Sequence, residues 1–197
     1  MQRDGEGVTA VEPLVPYRLS ICGLDELAGF ADAGVSHVLS ILDPDWPAPA
    51  ALGAYGPHHH VVRRFHDVAD TAPDVDPPAA ADVDAILAWS EVLRADRAAH
   101  VLVHCHAGIS RSTAAAVILL ARDHPGREAE AFETVARLRP RSWPNRRLLT
   151  IADHRLGRDG ALVAALRTHQ RRVAAAHPEF ADLVDGVDHA HHAVASP

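Results

Sequence analysis

Short apolar blocks alternate along the chain with segments rich in glycine, proline and aspartate. Four of these blocks are rich in valine, isoleucine and leucine, which is typical of buried strands. They cover residues 17–22, 35–42, 61–65 and 99–104. Two proline-rich stretches, 43–57 and 67–78, have the composition of exposed loops.

Longer segments repeat apolar residues at helical spacing and predict helices over 79–95, 128–138, 145–156 and 160–176. An alanine-rich run from about Arg111 to Ala121 predicts another helix, and Asp25 is a candidate cap for a short one over 25–33. Because strands and helices alternate, the sequence predicts an α/β fold: a central, mostly parallel sheet of four or five strands flanked by helices. The expected domain spans 17–176, between tails at 1–16 and 177–197.

Composition narrows the possible functions. There is no lysine, which excludes a Walker A loop, a pyridoxal Schiff base and a protein-kinase site, since each needs one. The net charge is −7, so no nucleic-acid partner is expected. No apolar run approaches the length of a membrane span, and residues 1–15 lack the apolar core of a secretion signal. The two cysteines, Cys22 and Cys105, favour a reducing, cytoplasmic location.

Candidate chemistry is concentrated in residues 104–112, His-Cys-His-Ala-Gly-Ile-Ser-Arg-Ser, between a predicted strand and a predicted helix. In such a turn the backbone amides from His106 to Arg111 can converge on one anion. Cys105 at that point is stabilised as the nucleophilic thiolate, and Arg111 can bind two oxygens of a phosphate. The full combination of residue types is expected by chance on the order of one time in ten thousand.

These nine residues resemble the His-Cys-x5-Arg-Ser/Thr signature of the cysteine-dependent protein tyrosine phosphatases, with His104, Cys105, Gly108, Arg111 and Ser112 matching it. The order of the flanking segments is most similar to the small dual-specificity branch. The resemblance is strongest over 104–112, extends over about 17–156, and implies a protein tyrosine phosphatase-like fold. It also implies a phosphate cradle formed by His106, Ala107, Gly108, Ile109, Ser110 and Arg111.

A phosphatase of this kind needs a carboxylic acid that protonates the leaving oxygen and later activates water. In the dual-specificity branch this acid is an aspartate at the end of the strand and loop before the helix that precedes the signature. Asp67 stands at that place and is favoured over Asp70, with Asp74 and Asp76 behind. Composition alone would make 67–78 a solvated acidic loop.

The remaining candidates receive smaller roles. Ser112 is expected to donate to the cysteine sulfur and His104 to favour the thiolate. His106 is a variable position that we expect to point away from the chemistry. The segment from Arg139-Pro140 to Pro144-Asn145 resembles a region that docks the next helix in the dual-specificity branch.

Cofactors and other partners are not expected. Adjacent side chains in an extended segment alternate in direction, so His58, His59 and His60 are a poor metal site. The tryptophans Trp46, Trp89 and Trp143 lie on separate segments and form no stacking platform. Cys22 is expected to be an inert buried thiol, with a resolving partner for oxidised Cys105 as the alternative.

The expected activity is hydrolysis of phosphomonoesters through a cysteinyl-phosphate, acting on phosphorylated proteins and above all on phosphotyrosine, with dual specificity possible. The signature loop has no lysine or additional arginine between Cys105 and Arg111, unlike the basic loops of phosphoinositide-cleaving relatives. Two alternatives stay open: a catalytically silent phosphate-binding module of the same fold, and a rhodanese-type sulfurtransferase or arsenate reductase.

Overall fold

Four parallel strands form the centre of the computed structural model, which describes residues 13–183. The strands are β1 (Arg18–Cys22), β2 (His37–Leu42), β3 (His59–Arg64) and β4 (His100–His104), and they pair in the order β1-β4-β2-β3. Every pairing in this sheet is parallel. The predicted α/β fold is confirmed, with four strands in the described part of the chain.

Five α-helices surround the sheet within these residues: α1 (Ala80–Ala95), α2 (Arg111–Ala121), α3 (Glu128–Leu138), α4 (Arg146–Arg155) and α5 (Ala161–Ala176). All residues of α2 are buried, because this helix packs between the sheet and the helices α1, α3 and α4. Small alanine side chains let the helix approach its neighbours closely. This helix is therefore the most enclosed of the five α-helices within the described residues.

The structure differs from the sequence prediction in several local elements, among them β2, which begins at His37, two residues after its predicted start. Residues 25–33 do not form an α-helix; a 3₁₀ helix runs over Leu24–Phe30, and its cap is Gly23, whose amide donates to Glu26 at 2.6 Å. The short segment contains Gly29, which disfavours α-helix. A second 3₁₀ helix, Ala50–Ala54, lies in the predicted loop 43–57, and β3 begins at His59, two residues before the predicted start.

Residues near both predicted tails pack against the domain. Leu14 and Val15 contact the core, and the Leu14 carbonyl accepts a hydrogen bond from His124 at 2.7 Å. Phe180 is buried and stacks on Trp143 with ring centroids 5.2 Å apart. The rest of the predicted tails, 1–12 and 184–197, lies outside the described residues. Between residues 13 and 183, no helix has the length and apolar character needed to cross a membrane.

The sheet brings the candidate residues to one edge. β2 and β4 are buried along their whole length, so both faces of the centre are covered. The segments that follow the carboxyl ends of the four strands begin at Gly23, Asp43, Phe65 and Cys105. In a parallel sheet these points lie at the same edge, where ligands bind in folds of this type.

Candidate active site

The loop between β4 and α2 is held by its backbone carbonyls. Each carbonyl from residue 106 to residue 110 accepts a hydrogen bond from the surrounding protein. Within residues 13–183, no protein acceptor is bound by the loop amides 106–110. The loop amides are therefore left available to an anion, as a phosphate cradle requires. From outside the loop and α2, the donors to these carbonyls are the backbone amides of Leu24, Trp143 and Asn145 and the guanidinium of Arg139.

Gly108 is required by the shape of this loop. Its φ is +69°, a left-handed conformation that side chains disfavour. A Cβ atom at this position would lie 2.6 Å from the Cys22 carbonyl carbon and 2.7 Å from the Gly23 amide nitrogen. The loop thus packs directly on the end of β1, and a side chain here would push the cradle off the sheet.

Cys105 lies at the base of the cradle and is 2 % exposed. Its Sγ is 3.2 Å from the hydroxyl of Ser112, which is itself fully buried in the first turn of α2. A hydroxyl at this distance can donate to a thiolate and stabilise it as an attacking or leaving group. His104, directly before the cysteine, is buried, and this burial lowers its pKa to about 4. The imidazole is therefore neutral at ordinary pH.

Arg111 is held by hydrogen bonds at Nη1, whereas its Nε makes none. Its Nη1 donates to the Phe65 carbonyl at 2.7 Å and to Oδ1 of Asp43 at 2.6 Å. Its Nε is buried and finds no hydrogen-bond partner among residues 13–183. A buried, unpaired guanidinium N–H is costly unless a ligand satisfies it. Nε therefore marks a point where an oxyanion fits.

Asp67 lies beside Nε of Arg111. Its Oδ1 accepts from the Ser110 hydroxyl at 2.6 Å and from the Asn145 side-chain amide at 2.8 Å. Its Oδ2 is 3.8 Å from Nε of Arg111. One carboxylate oxygen is thus fixed by two donors, while the other lies near Nε of Arg111.

The competing acids lie elsewhere. Asp70 has 88 % of its side chain exposed, and its only ion pair in the described chain is at 3.5 Å with Arg146. Asp74 and Asp76 are exposed positions of the same loop. Asp76 is engaged through its backbone, which bonds the backbone and ring of His66. Of the four candidate acids, Asp67 is the one that reaches Arg111.

Three residues at the rim of the site, Asp43, His106 and Trp46, make contacts that the sequence does not predict. Asp43 pairs with Arg111, and its amide also donates to Nε2 of His106 at 3.3 Å. The His106 ring packs on Trp46 with centroids 4.4 Å apart. Burial lowers the pKa of His106, an effect that nearby Asp43 opposes. His106 thus turns toward the rim of the site, where it supports an aromatic wall with Trp46.

The segment 139–145 does more than dock a helix. Arg139 donates to the carbonyls of Ala107 and Gly108, each at 3.2 Å, and pairs with Glu26 at 2.7 Å. Asn145 caps α4 by accepting from the Leu148 amide at 3.0 Å while donating to Asp67. In the sequence, Arg139 and Asn145 are distinguished only by their positions in the Arg-Pro…Pro-Asn segment. Those positions do not predict the residues that they contact.

The remaining candidates do not form a second site. Among residues 13–183 there is no group of three or more histidine, cysteine, aspartate or glutamate side chains able to hold a metal ion. His58 bonds the Gly56 carbonyl, whereas His60 bonds Ser40. Cys22 is fully buried beside His104, and burial raises the pKa of its thiol to about 12.

The comparisons with known proteins identify the fold. No protein-family model matches the sequence, and no curated protein sequence matches it. Among solved structures, human DUSP28 is 20 % identical with a TM-score of 0.55, covering 76 % of this chain and 97 % of its own. The PTP-2 phosphatase of Cydia pomonella is 20 % identical with a TM-score of 0.56, covering 70 % and 84 %.

A third structure is human tyrosine phosphatase-like serine/threonine/tyrosine-interacting protein, 17 % identical with a TM-score of 0.53 and covering 73 % of this chain and 93 % of its own. The chain therefore has the fold of the dual-specificity and protein tyrosine phosphatases. The predicted protein tyrosine phosphatase-like architecture is confirmed.

Proposed function

We propose that this chain is a phosphomonoester hydrolase that acts through a cysteinyl-phosphate intermediate. The observation that carries the proposal is the arrangement at Arg111. Its unpaired Nε lies 3.8 Å from Oδ2 of Asp67, at the loop that follows Cys105 and whose amides 106–110 bind no acceptor within residues 13–183. A nucleophile, an oxyanion clamp and an acid thus converge on one point.

In the first step the Cys105 thiolate attacks phosphorus and the bond from phosphorus to the leaving oxygen breaks. The electron pair of that bond goes to the leaving oxygen, which takes the proton carried by Oδ2 of Asp67. Arg111 and the loop amides bind the equatorial oxygens, over which the transition-state charge is spread. The product alcohol leaves, and a phosphoryl group stays on the sulfur.

In the second step water attacks the phosphoryl group. Asp67, now a carboxylate, accepts a proton from the water, and the sulfur–phosphorus bond breaks. The Ser112 hydroxyl, 3.2 Å from Sγ, stabilises the departing thiolate. Phosphate is released and both groups return to their starting states.

For the substrate we infer phosphorylated protein, with phosphotyrosine favoured. Trp46 and His106 form an aromatic wall beside Asp43 and Arg111, and this wall supports an aryl phosphate. The loop carries no basic residue between Cys105 and Arg111. That composition argues against multiply phosphorylated inositides.

The test is turnover of a generic aryl phosphate from about pH 5 to about pH 8, in the range where these groups act. We expect Cys105→Ser to abolish turnover and Asp67→Asn to remove mainly the basic limb of the profile. Asp70→Asn is the matched control and should leave the profile unchanged. If Cys105→Ser abolishes turnover but Asp67→Asn leaves the pH profile unchanged, the general acid is a residue other than Asp67.

Two further outcomes would replace the proposal. Binding of phosphate analogues without turnover would indicate a silent phosphate-binding module. Persulfide formation on Cys105 with thiosulfate, without aryl phosphate turnover, would indicate a sulfurtransferase.

A further inference from the structure

A continuous chain of hydrogen bonds crosses the sheet beneath the nucleophile. The hydroxyl of Ser40 on β2 is 2.5 Å from Nε2 of His104 on β4 and 2.7 Å from Nε2 of His60 on β3. Ser40 and His104 are fully buried, whereas His60 is exposed at the edge strand. The chain thus connects the residue before Cys105 to solvent, and the proposed reaction makes no use of His60 or Ser40.

One hydroxyl proton decides the direction of this chain. Ser40 can donate to only one of the two imidazoles, so the other must donate its own N–H to the serine oxygen. Within residues 13–183 the Ser40 hydroxyl has no third partner to which it could turn. The two rings are therefore coupled: if one accepts from Ser40, the other donates to it.

Protonation of His60 then fixes the tautomer of His104, because only a neutral His60 can accept from Ser40. When His60 is neutral and accepts at Nε2, His104 donates from Nε2 and leaves its Nδ1 as a bare lone pair. When His60 is protonated it donates from Nε2, and Ser40 turns its proton to Nε2 of His104. Because His104 remains neutral, its own proton then lies on Nδ1, and the whole change takes up one proton from solvent.

The far end of His104 is the part that matters for the site. Its Nδ1 is buried and makes no hydrogen bond of good geometry among the described residues. The backbone of Cys105 nevertheless favours the protonated ring and so raises the pKa of His104 against the effect of burial. The ring directly precedes Cys105 in the chain. An N–H at this position favours negative charge nearby, whereas a lone pair opposes it.

We propose that His60, acting through Ser40, is a pH-responsive positioning residue that selects the tautomer of His104 and so the environment of Cys105. The inference rests on the proposed function only in taking Cys105 as the nucleophile. Protonation of His60 places an N–H at Nδ1 of His104, which stabilises the Cys105 thiolate. The coupling therefore extends the reactivity of Cys105 toward lower pH.

Other titratable groups surround this chain and belong to the same equilibrium. Burial lowers the pKa of His60, and the neighbouring histidines add to that effect. The transition therefore falls below the usual histidine range. The groups facing the chain are His58 and His59 on or next to β3, Cys22 on β1, His106 in the signature loop and Tyr55 after the second 3₁₀ helix.

The first test reads the tautomer directly, from the imidazole nitrogen chemical shifts of the full chain titrated from about pH 8 to about pH 5. We expect Nδ1 of His104 to change from unprotonated to protonated as His60 titrates. Ser40→Ala and His60→Ala should each abolish this change. Ser20→Ala is the matched control, because Ser20 makes an equivalent bond to His100 at 2.9 Å elsewhere on the sheet.

The second test measures alkylation of Cys105 by iodoacetamide over the same pH range, with the modified residue identified by mass spectrometry. The wild type should show an added inflection below the usual histidine range, with an amplitude of about threefold, which is typical of coupling within one hydrogen-bonded network. Ser40→Ala should lose the inflection while Cys105 stays reactive, and Ser20→Ala should retain it.

A single His104 tautomer at all pH values, or a tautomer change that survives Ser40→Ala, would overturn the proposal. Neither test requires turnover. Failure of the phosphatase proposal would therefore leave a positive result here intact, and an active enzyme without the tautomer change would refute this inference alone.

Discussion

At the scale of single residues, the site depends on how one guanidinium is oriented. Arg111 is 3 % exposed, and two acceptors hold its Nη1: the Phe65 carbonyl and the Asp43 carboxylate. Long arginine side chains lose considerable conformational freedom when they are ordered. Fixing Nη1 before substrate binds reduces that cost and leaves Nε directed at the cradle.

Asp43 should therefore act as a positioning residue. We expect Asp43→Asn to lower kcat/KM for an aryl phosphate about tenfold, because the guanidinium loses the carboxylate that holds it and keeps at most a bond to a neutral amide. Binding of tungstate, measured by calorimetry, should weaken by a similar factor.

The neighbouring Asp45→Asn is the control, since Asp45 is exposed. It should change neither measurement. Equal losses in both variants would show that only the general negative charge of this rim matters.

The sequence could predict the residues of the signature but not those that orient them. Cys105, Arg111 and Ser112 lie within eight positions, so a local pattern contains them. Asp43 lies 68 residues before its partner Arg111, and Arg139 lies 31 residues after Gly108. Such contacts are set by packing, which sequence spacing does not encode.

At the scale of elements, the segment between α3 and α4 joins the cradle to the acid loop. Its backbone donates to the carbonyls of Ile109 and Ser110, and the side chain of Asn145 reaches Asp67 and the Val68 carbonyl. Asn145 is also the cap of α4. One residue thus orients Asp67, the proposed acid, and caps a helix, and the two roles can be separated.

Asn145→Asp separates these roles. Aspartate caps helices about as well as asparagine, so the free energy of unfolding should change little at the helix end. The new carboxylate cannot donate to Oδ1 of Asp67 and adds a like charge beside it. We expect kcat to fall about tenfold or more and the basic limb of the pH profile to move to higher pH.

Asn145→Ala is the companion variant. It should lose both roles, with about 1 kcal/mol of stability removed with the cap. Urea unfolding and turnover measured on both variants provide the comparison. An Asn145→Asp protein with unchanged turnover would show that the contact with Asp67 has no role in the reaction.

The elements themselves divide in the same way. The helix over Glu128–Leu138 has the bounds that its spacing predicts, and each predicted strand agrees within two residues of its start. These elements carry a clear period of apolar side chains. The 3₁₀ helix at Leu24–Phe30 lacks such a period. It is held instead by Glu26, which bonds the Gly23 amide and the Arg139 guanidinium.

At the scale of the whole molecule, the interior holds several neutral histidines. His104, His100 and His169 are all buried, and burial is the largest cause of the lowered pKa of each. Each bonds a serine hydroxyl: Ser40, Ser20 and Ser142 respectively. The fold therefore contains polar side chains whose protonation opposes folding.

The sign of the resulting pH dependence follows from linkage. Unfolded histidine titrates near pH 6.5, whereas folded His104 titrates at about 4. Between these values the unfolded chain binds more protons, so stability is present above about pH 6.5 and is lost as pH falls toward about 4. At about pH 5 the loss from His104 alone is about 2 kcal/mol, and His100 and His169 add in the same direction.

Urea unfolding at about pH 7.5 and about pH 5 measures this loss, and His104→Asn should reduce the difference between the two free energies by up to about 2 kcal/mol. His154→Asn changes an exposed histidine of α4 and should leave the difference unchanged. Because the variant could lower stability at both pH values, the difference, and not either free energy, is the quantity that decides. A difference equal to that of the wild type would mean that acid destabilisation comes from the other buried histidines, and that His104 takes up its proton without opposing the fold.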